Sequence, residues 1–451
     1  MKRTFFRWLI ISAFLAVAGL AAAQENWPQW RGPHLNGLVD ATALPLKWSP
    51  TENVIWKTAL PSWSAATPII WGDRIFITSP SPAEGKPAAA PDPGQKRGGR
   101  ASRDPGGAKL LFLCLSKKDG HVLWERVLDE KNELHNKQNN STPSPVTDGT
   151  RVWTVTGTGK AAAFDMDGKF LWGKDLQKDY GPFGHNFGYG SSPLLFEGNL
   201  YIEVLHGMKT DDPSYVLSLD GATGSVRWRQ ERPTDAEGES PDAYTTPVLL
   251  QFGGQTQIVV SGGDYVTGHE AATGREIWRA GGLNPLKRTN YRIVPTPIAV
   301  GGLIYAPTRQ KPFLALKAGG TGDITSSHLV WKYDGSGTPD VPSPVCDGRY
   351  FYLVDDRGLV TCLEAKTGAL IWGPEKTTEG IVSASPILAG NILYVLNENG
   401  VTSVCSVGAA FALIGTNALD GTYTLASPAV SGSQLFIRTS THLYCLGKTS
   451  K

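Results

Sequence analysis

Ser343-Pro344-Val345-Cys346-Asp347-Gly348-Arg349-Tyr350-Phe351-Tyr352, followed by Thr367-Gly368-Ala369-Leu370-Ile371-Trp372, decides the fold. A strand opens at the Pro, where a missing N–H does little harm. Asp347-Gly348 supplies a tight hairpin turn. A third strand then leads to a Thr-Gly turn and a fourth strand carrying Trp372. The same order recurs after Thr67-Pro68, Ser144-Pro145, Ser192-Pro193, Thr246-Pro247, Thr296-Pro297, Ser385-Pro386 and Ser427-Pro428. The matching tryptophans are Trp124, Trp172, Trp228, Trp278 and Trp331.

Four short strands per ~42–50 residues is the arithmetic of a β-propeller blade. Eight hydroxyl-Pro signals predict an all-β fold, an eight-bladed β-propeller of four-stranded antiparallel blades over residues 53–447. The last blade shows three strands before the chain ends. Asn53-Val54-Ile55-Trp56-Lys57 is the predicted fourth, so that an N-terminal strand closes the ring and hides an edge. The seventh blade lacks its Trp, with Leu413 or Ile414 near the slot. The 52 Gly and 14 Trp in 451 residues then have roles: Gly at positive-φ turns, and one large ring per blade for docking.

Lys2, Arg3 and Arg7 precede an apolar run from Trp8 to Leu20 and the small residues Ala21-Ala22-Ala23. This reads as a secretory signal peptide over 1–23, followed by a leader over 24–52. Its removal shifts the formal net charge from +2 to −1, because it carries three cations and no acid. No affinity for nucleic acid is expected, nor a membrane span. The first cysteine is Cys114, so no lipid-anchor cysteine follows the signal, and a periplasmic or secreted monomer is expected. Cys114, Cys346, Cys362, Cys405 and Cys445 read as small packing residues rather than disulfide partners. With 41% apolar residues and near-zero net charge the chain is neither disordered nor a coiled coil. An insertion from Ser79 to Ala108 is basic and of low complexity, and is expected between strands two and three of the first blade.

The element Leu363-Glu364-Ala365-Lys366-Thr367-Gly368 through Trp372 resembles the repeat of the pyrroloquinoline-quinone-type (PQQ-like) eight-bladed propellers. The leader Asn26-Trp27-Pro28-Gln29-Trp30-Arg31-Gly32-Pro33 is similar to the start of a secreted branch of that superfamily, itself similar to BamB-like propellers. The resemblance implies either of two functions. One is a scaffold, including an accessory factor in outer-membrane protein assembly. The other is a periplasmic quinoprotein oxidoreductase acting on sugars or alcohols. Fold alone does not choose between them. The enzyme members imply PQQ with Ca²⁺, an Asp base and often a vicinal Cys pair. This chain has no Cys-Cys, and its residues by themselves demand no cofactor.

In a meander the loops joining strands one to two and three to four share a face. Here they are bland turns such as Thr147-Asp148-Gly149 and Thr273-Gly274. The other face carries the strand two-to-three loops and the links between blades, which are longer and chemically varied. Binding groups concentrate on such loops. The expected ligand- or partner-binding face comprises His135, Asn139, His185, Asn186, Tyr189, Asp242, Tyr244, Tyr265, Asn290, Tyr291, Arg292, Arg309, Asp356 and Arg357. No metal site is expected, because His135, His185 and His206 come from different blades. Catalytic residues are not identifiable, and the expected function is binding of a protein or small molecule. No Gly-x-Ser-x-Gly elbow or phosphate loop before a helix occurs.

Overall fold

The computed structural model describes residues 26–40, 43–84, 104–309 and 311–448. The signal segment 1–23 and the 85–103 part of the basic insertion lie outside the described residues. Eight antiparallel blades follow one another. In blade 1 the strands are Ile69–Trp71, Arg74–Pro80, Leu110–Ser116 and Val122–Asp129, so the insertion does leave between strands two and three. The second and third strands of each blade are buried almost throughout and the fourth alternates, as expected of a blade packed on both faces. Blade 8 consists of Ala429–Ser431, Gln434–Arg438 and His442–Leu446, and is completed by Val54–Ala59 pairing antiparallel with the last of these.

Two rings of contacts explain the repeat. The inner ring uses the residue before each Pro. The Thr67 N–H donates to Ser144 Oγ, Ser144 to Ser192, Ser192 to Thr246, Thr246 to Thr296, Thr296 to Ser343, Ser343 to Ser385 and Ser385 to Ser427, at 2.9–3.2 Å. A hydroxyl is therefore needed there because it satisfies a buried amide of the preceding blade. The outer ring uses the Trp slot. Trp56, Trp124, Trp172, Trp228, Trp331 and Trp372 each donate Nε1–H to a turn carbonyl of the next blade at 2.8–3.0 Å. The turn glycine lies against the ring: a Cβ on Gly368 (φ +70°) would meet Trp331 at 2.6 Å. Trp278 departs from this. It donates to Gln257 of its own blade at 2.7 Å, and Gly322–Asp323 from blade 5 pairs alongside it instead.

The seventh blade corrects the sequence expectation. A register shift pairs Val404 with Gly415 and Cys405 with Leu413, as Cys114 pairs with Trp124 and Leu115 with Val122 in blade 1. Gly415 thus holds the slot, while Leu413 and Ile414 are exposed. The missing ring comes from the leader. Trp48 is buried and stacks on Tyr394 at 6.5 Å and 18°, the place Trp372 occupies against Tyr352 in blade 6. Asn417 fixes it, accepting the Trp48 N–H at 3.0 Å and donating to the Leu46 carbonyl at 3.0 Å.

The rest of the leader fills the central channel. Trp27 exchanges two backbone hydrogen bonds with Ile70 of blade 1, Pro28 accepts from Thr147 of blade 2, and Gln29 Oε1 accepts from Leu195 of blade 3. Leu38–Val39 runs parallel to Leu388–Ala389 of blade 7. Arg31 is buried between these contacts and donates to the carbonyls of Pro386 (2.7 Å), Pro344 (2.6 Å) and Asn36 (2.7 Å). Burial lowers its pKa to about 9, so it stays charged at neutral pH. The turn that delivers it needs glycine at Gly32 and Gly37, both at positive φ, where a Cβ would meet Trp27 or Arg31 at under 3 Å.

Candidate functional site

The leader occupies the channel from the hairpin-turn face, and among the described residues a funnel lies on the face of the interblade links, with Trp30 as its floor. This cavity is about 200 Å³. His135, Lys137, Gln138, Phe187, Tyr244 and Arg292 rise around it, above the inner ring hydroxyls. The link from blade 2 to blade 3 presents Phe187, whose N–H donates to Tyr244 Oη at 2.9 Å; the Arg292 guanidinium lies over the Phe187 ring at 5.1 Å.

Charge is arranged on the funnel rim. Lys137 pairs with Glu398 at 2.8 Å, and Glu398 also accepts from Ser383 Oγ at 2.6 Å. Arg292 approaches Glu239 at 3.9 Å and Asp340 at 3.6 Å, and Arg309 approaches Asp340 at 3.6 Å. Asp242 anchors two loops behind the rim, accepting the N–H groups of Asn186 (2.6 Å), Gly207 (3.0 Å) and Met208 (3.1 Å). Asp356 accepts those of Asp340 and Val341. Burial raises both carboxyls to about 6, aided by Asp340 at Asp356.

Of the fourteen expected face residues, His135, Tyr244 and Arg292 line the funnel. Most others position loops. Asn139 accepts from Ser141 and donates to the Trp63 carbonyl. Asn186 Nδ2 donates to Glu239, and the Asn290 carbonyl accepts from Arg309. Tyr291 is buried and donates to the Lys311 carbonyl at 2.6 Å. Tyr189 is buried beside Phe183. Tyr265 sits off the funnel under Arg279, and Arg357 folds back on Asp355, donating from Nη2 and Nε to Oδ2 at 2.7 and 3.0 Å. Lys137, Gln138, Phe187 and the floor Trp30 are among the lining residues that sequence reasoning did not single out. Their signal was present in the link segments and the leader, but periodicity does not say which link residue turns inward.

The three histidines do not assemble. His185 and His206 lie 5.7 Å apart between ring centroids, but His206 Nδ1 accepts the Gly184 N–H at 2.9 Å and His135 Nε2 bonds Asn140 at 3.0 Å. Burial and the neighbouring His206 drive His185 down to about 3, so it is neutral. The residues do not fit a quinone held by a hard cation, which wants several free oxygen donors. Asp242 and Asp355 have both oxygens engaged, and Asp356 has one. No cluster of three or more His, Cys, Asp or Glu suited to an ion occurs among the described residues. All five cysteines are buried and unpaired.

One buried acid escaped the sequence reading. Thr245 Oγ1 lies 2.6 Å from Glu203 Oε1 and 2.7 Å from the Ser261 carbonyl. Its single proton serves one of them, and a carbonyl only accepts. When it goes to Ser261, the Glu203 contact requires a proton on Glu203. Burial raises this carboxyl to about 8, which agrees. A folded-state pKa above the unfolded one gives stability that is present in acid and is lost as pH rises from about 4.3 towards 8. Glu203→Gln should flatten that loss in melting temperatures measured against pH. Parallel profiles for the two proteins would refute the protonated assignment.

No helix among the described residues is long and apolar enough to cross a membrane. A family model described as "Outer membrane protein assembly factor BamB" matches residues 46–181, 108–373 and 323–424. A curated BamB from Yersinia pestis is 22% identical over 348 residues, covering 73% of this chain and 78% of that protein. The crystal structure of BamB from Moraxella catarrhalis superposes with a TM-score of 0.57 at 14% identity, over 88% of this chain and 98% of that one. The quinohemoprotein alcohol dehydrogenase from Comamonas testosteroni superposes at 0.60 and 10% identity, over 96% and 82%. At such identities the structural likenesses speak for the propeller fold alone. The match of the family model along most of the chain does more: this chain belongs to the PQQ-like propeller family described by the outer membrane protein assembly factor BamB.

Proposed function

We propose that the chain is an exported scaffold that binds a ligand or partner through its funnel face. The observation that carries this reading is convergence. Links from several blades deliver Phe187, Tyr244, Arg292 and Lys137 to one cavity, while the opposite end of the channel is filled by the leader. Rigid scaffolds with inward-turned aromatic and Arg anchors are suited to binding. Family membership favours one particular form of it, an accessory role in outer-membrane protein assembly, in which the partner is another envelope protein.

The test is site-specific photocrosslinking in envelope preparations. A photoreactive residue at Gln138 should give discrete adducts, which Tyr244→Ala and Arg292→Ala reduce by at least about tenfold. The same residue at Lys366, on the bland face, should give none of these adducts. Equal labelling from both positions, or adducts indifferent to both substitutions, would overturn the funnel as the binding face.

A further inference from the structure

We propose that the funnel takes a small organic carboxylate with a flat apolar body; this rests on the funnel-binding reading above. Three independent features of the cavity wall point to a negatively charged acceptor.

The first is the inner hydroxyl ring. Ser144, Ser192, Thr246, Ser343, Ser385 and Ser427 line the cavity. Each oxygen already accepts an N–H from the preceding blade. None of the six hydroxyl hydrogens has a protein acceptor among the described residues. A hydroxyl that accepts one N–H in this way keeps its O–H free to donate, with one further lone pair. The cavity therefore presents a circle of O–H donors around its axis.

The second is Arg292. Its side chain is 16% exposed, yet among the described residues the guanidinium makes no hydrogen bond; it has only the looser ion-pair contacts to Glu239 and Asp340 at 3.9 and 3.6 Å. A planar fork with hydrogen-bond donors to spare, 5.1 Å from the Phe187 ring centroid, is the group that matches a carboxylate in bidentate fashion.

The third is the charge balance of the lining. It contains Lys137 and Arg292 and no Asp or Glu; their partners Glu398, Glu239 and Asp340 stand outside it, on the rim. Beneath the floor, Arg31 is buried against carbonyl oxygens, with no carboxylate partner among the described residues, at 6.0 Å from the Trp30 ring. Field from an uncompensated buried cation reaches further than from an exposed one. Trp30, Phe187, Tyr244, Val294 and Val341 form the apolar part of the wall, beside the polar His135, Asn136, Gln138 and Thr142. A volume of about 200 Å³ falls below the ~300 Å³ at which pockets for drug-sized ligands begin, so the occupant is small.

Benzoate is the probe, with benzamide as its neutral isostere and inorganic phosphate as the alternative oxyanion. Binding is followed by calorimetry and by ligand-observed NMR on the full chain. Benzoate should bind, benzamide and phosphate should bind at least about tenfold more weakly, and Arg292→Met should weaken benzoate at least about tenfold. Arg292→Lys should restore part of the loss, and unchanged melting temperatures for both variants show that the fold is intact. Lys137→Met provides a second variant if Arg292→Met does not fold. Equal binding of benzoate and benzamide, binding of phosphate alone, or indifference to these substitutions would overturn the carboxylate assignment. No benzoate binding with the Gln138 crosslinks intact would overturn it while leaving the funnel as the binding face. Loss of both would remove both readings.

Discussion

Trp48→Ala should lower the unfolding free energy by about 3–5 kcal/mol, the usual range for removing a buried Trp. The ring is 2% exposed and fills the slot that Gly415 leaves empty in blade 7. Its loss strips Tyr394 of a stacked partner and opens a cavity that Gly415, having no side chain, cannot fill. Among the described residues Trp48 Nε1 has no hydrogen-bond partner, unlike six of the blade tryptophans. The expected cost is therefore one of packing, and Trp48→Phe should recover a good part of it. Chemical denaturation at neutral pH measures both. A midpoint for Trp48→Ala equal to that of the unaltered protein would show that the leader is dispensable to blade 7.

Arg31→Met should cost about 3 kcal/mol. Three carbonyls, of Asn36, Pro344 and Pro386, lose their donors inside the protein, and an unsatisfied buried acceptor costs about 1–3 kcal/mol. Relief from burying a cation without a carboxylate offsets part of this sum. Arg31→Lys should not rescue it, because an ammonium is a point donor and the three carbonyls are spread across two blades and the leader turn. The local signature is faster amide exchange at Leu388 and Thr147, whose N–H groups are held by Gly37 and Pro28 of the leader. Wild-type exchange at both sites would mean that the leader holds the channel without its arginine.

The face of the candidate site was legible, but few of its lining residues were. Alternation in a meander assigns every interblade link to one face, and His135, Tyr244 and Arg292 of that face do line the funnel. The distinction between Arg292, which turns inward, and Arg357, which folds onto Asp355, was not legible, since both sit in polar loops of similar composition. Glu203 was equally hidden: in a strand its position reads as one of two alternating faces, and both faces of a second strand are buried here.

The repeat by itself determined the eight blades, their order and the closure of blade 8 by Val54–Ala59, because hydroxyl-Pro, Gly turn and Trp each satisfy a contact with the adjacent blade and so recur in phase. Only the tertiary structure decided what the leader does. Arg31 meets Pro386 across 355 residues, and Trp48 meets Asn417 across 369. Such contacts obey no period. They exist because a ring of eight blades leaves an axial channel and one empty Trp slot, and burying Trp27, Arg31 and Trp48 there satisfies groups that no neighbouring blade can reach.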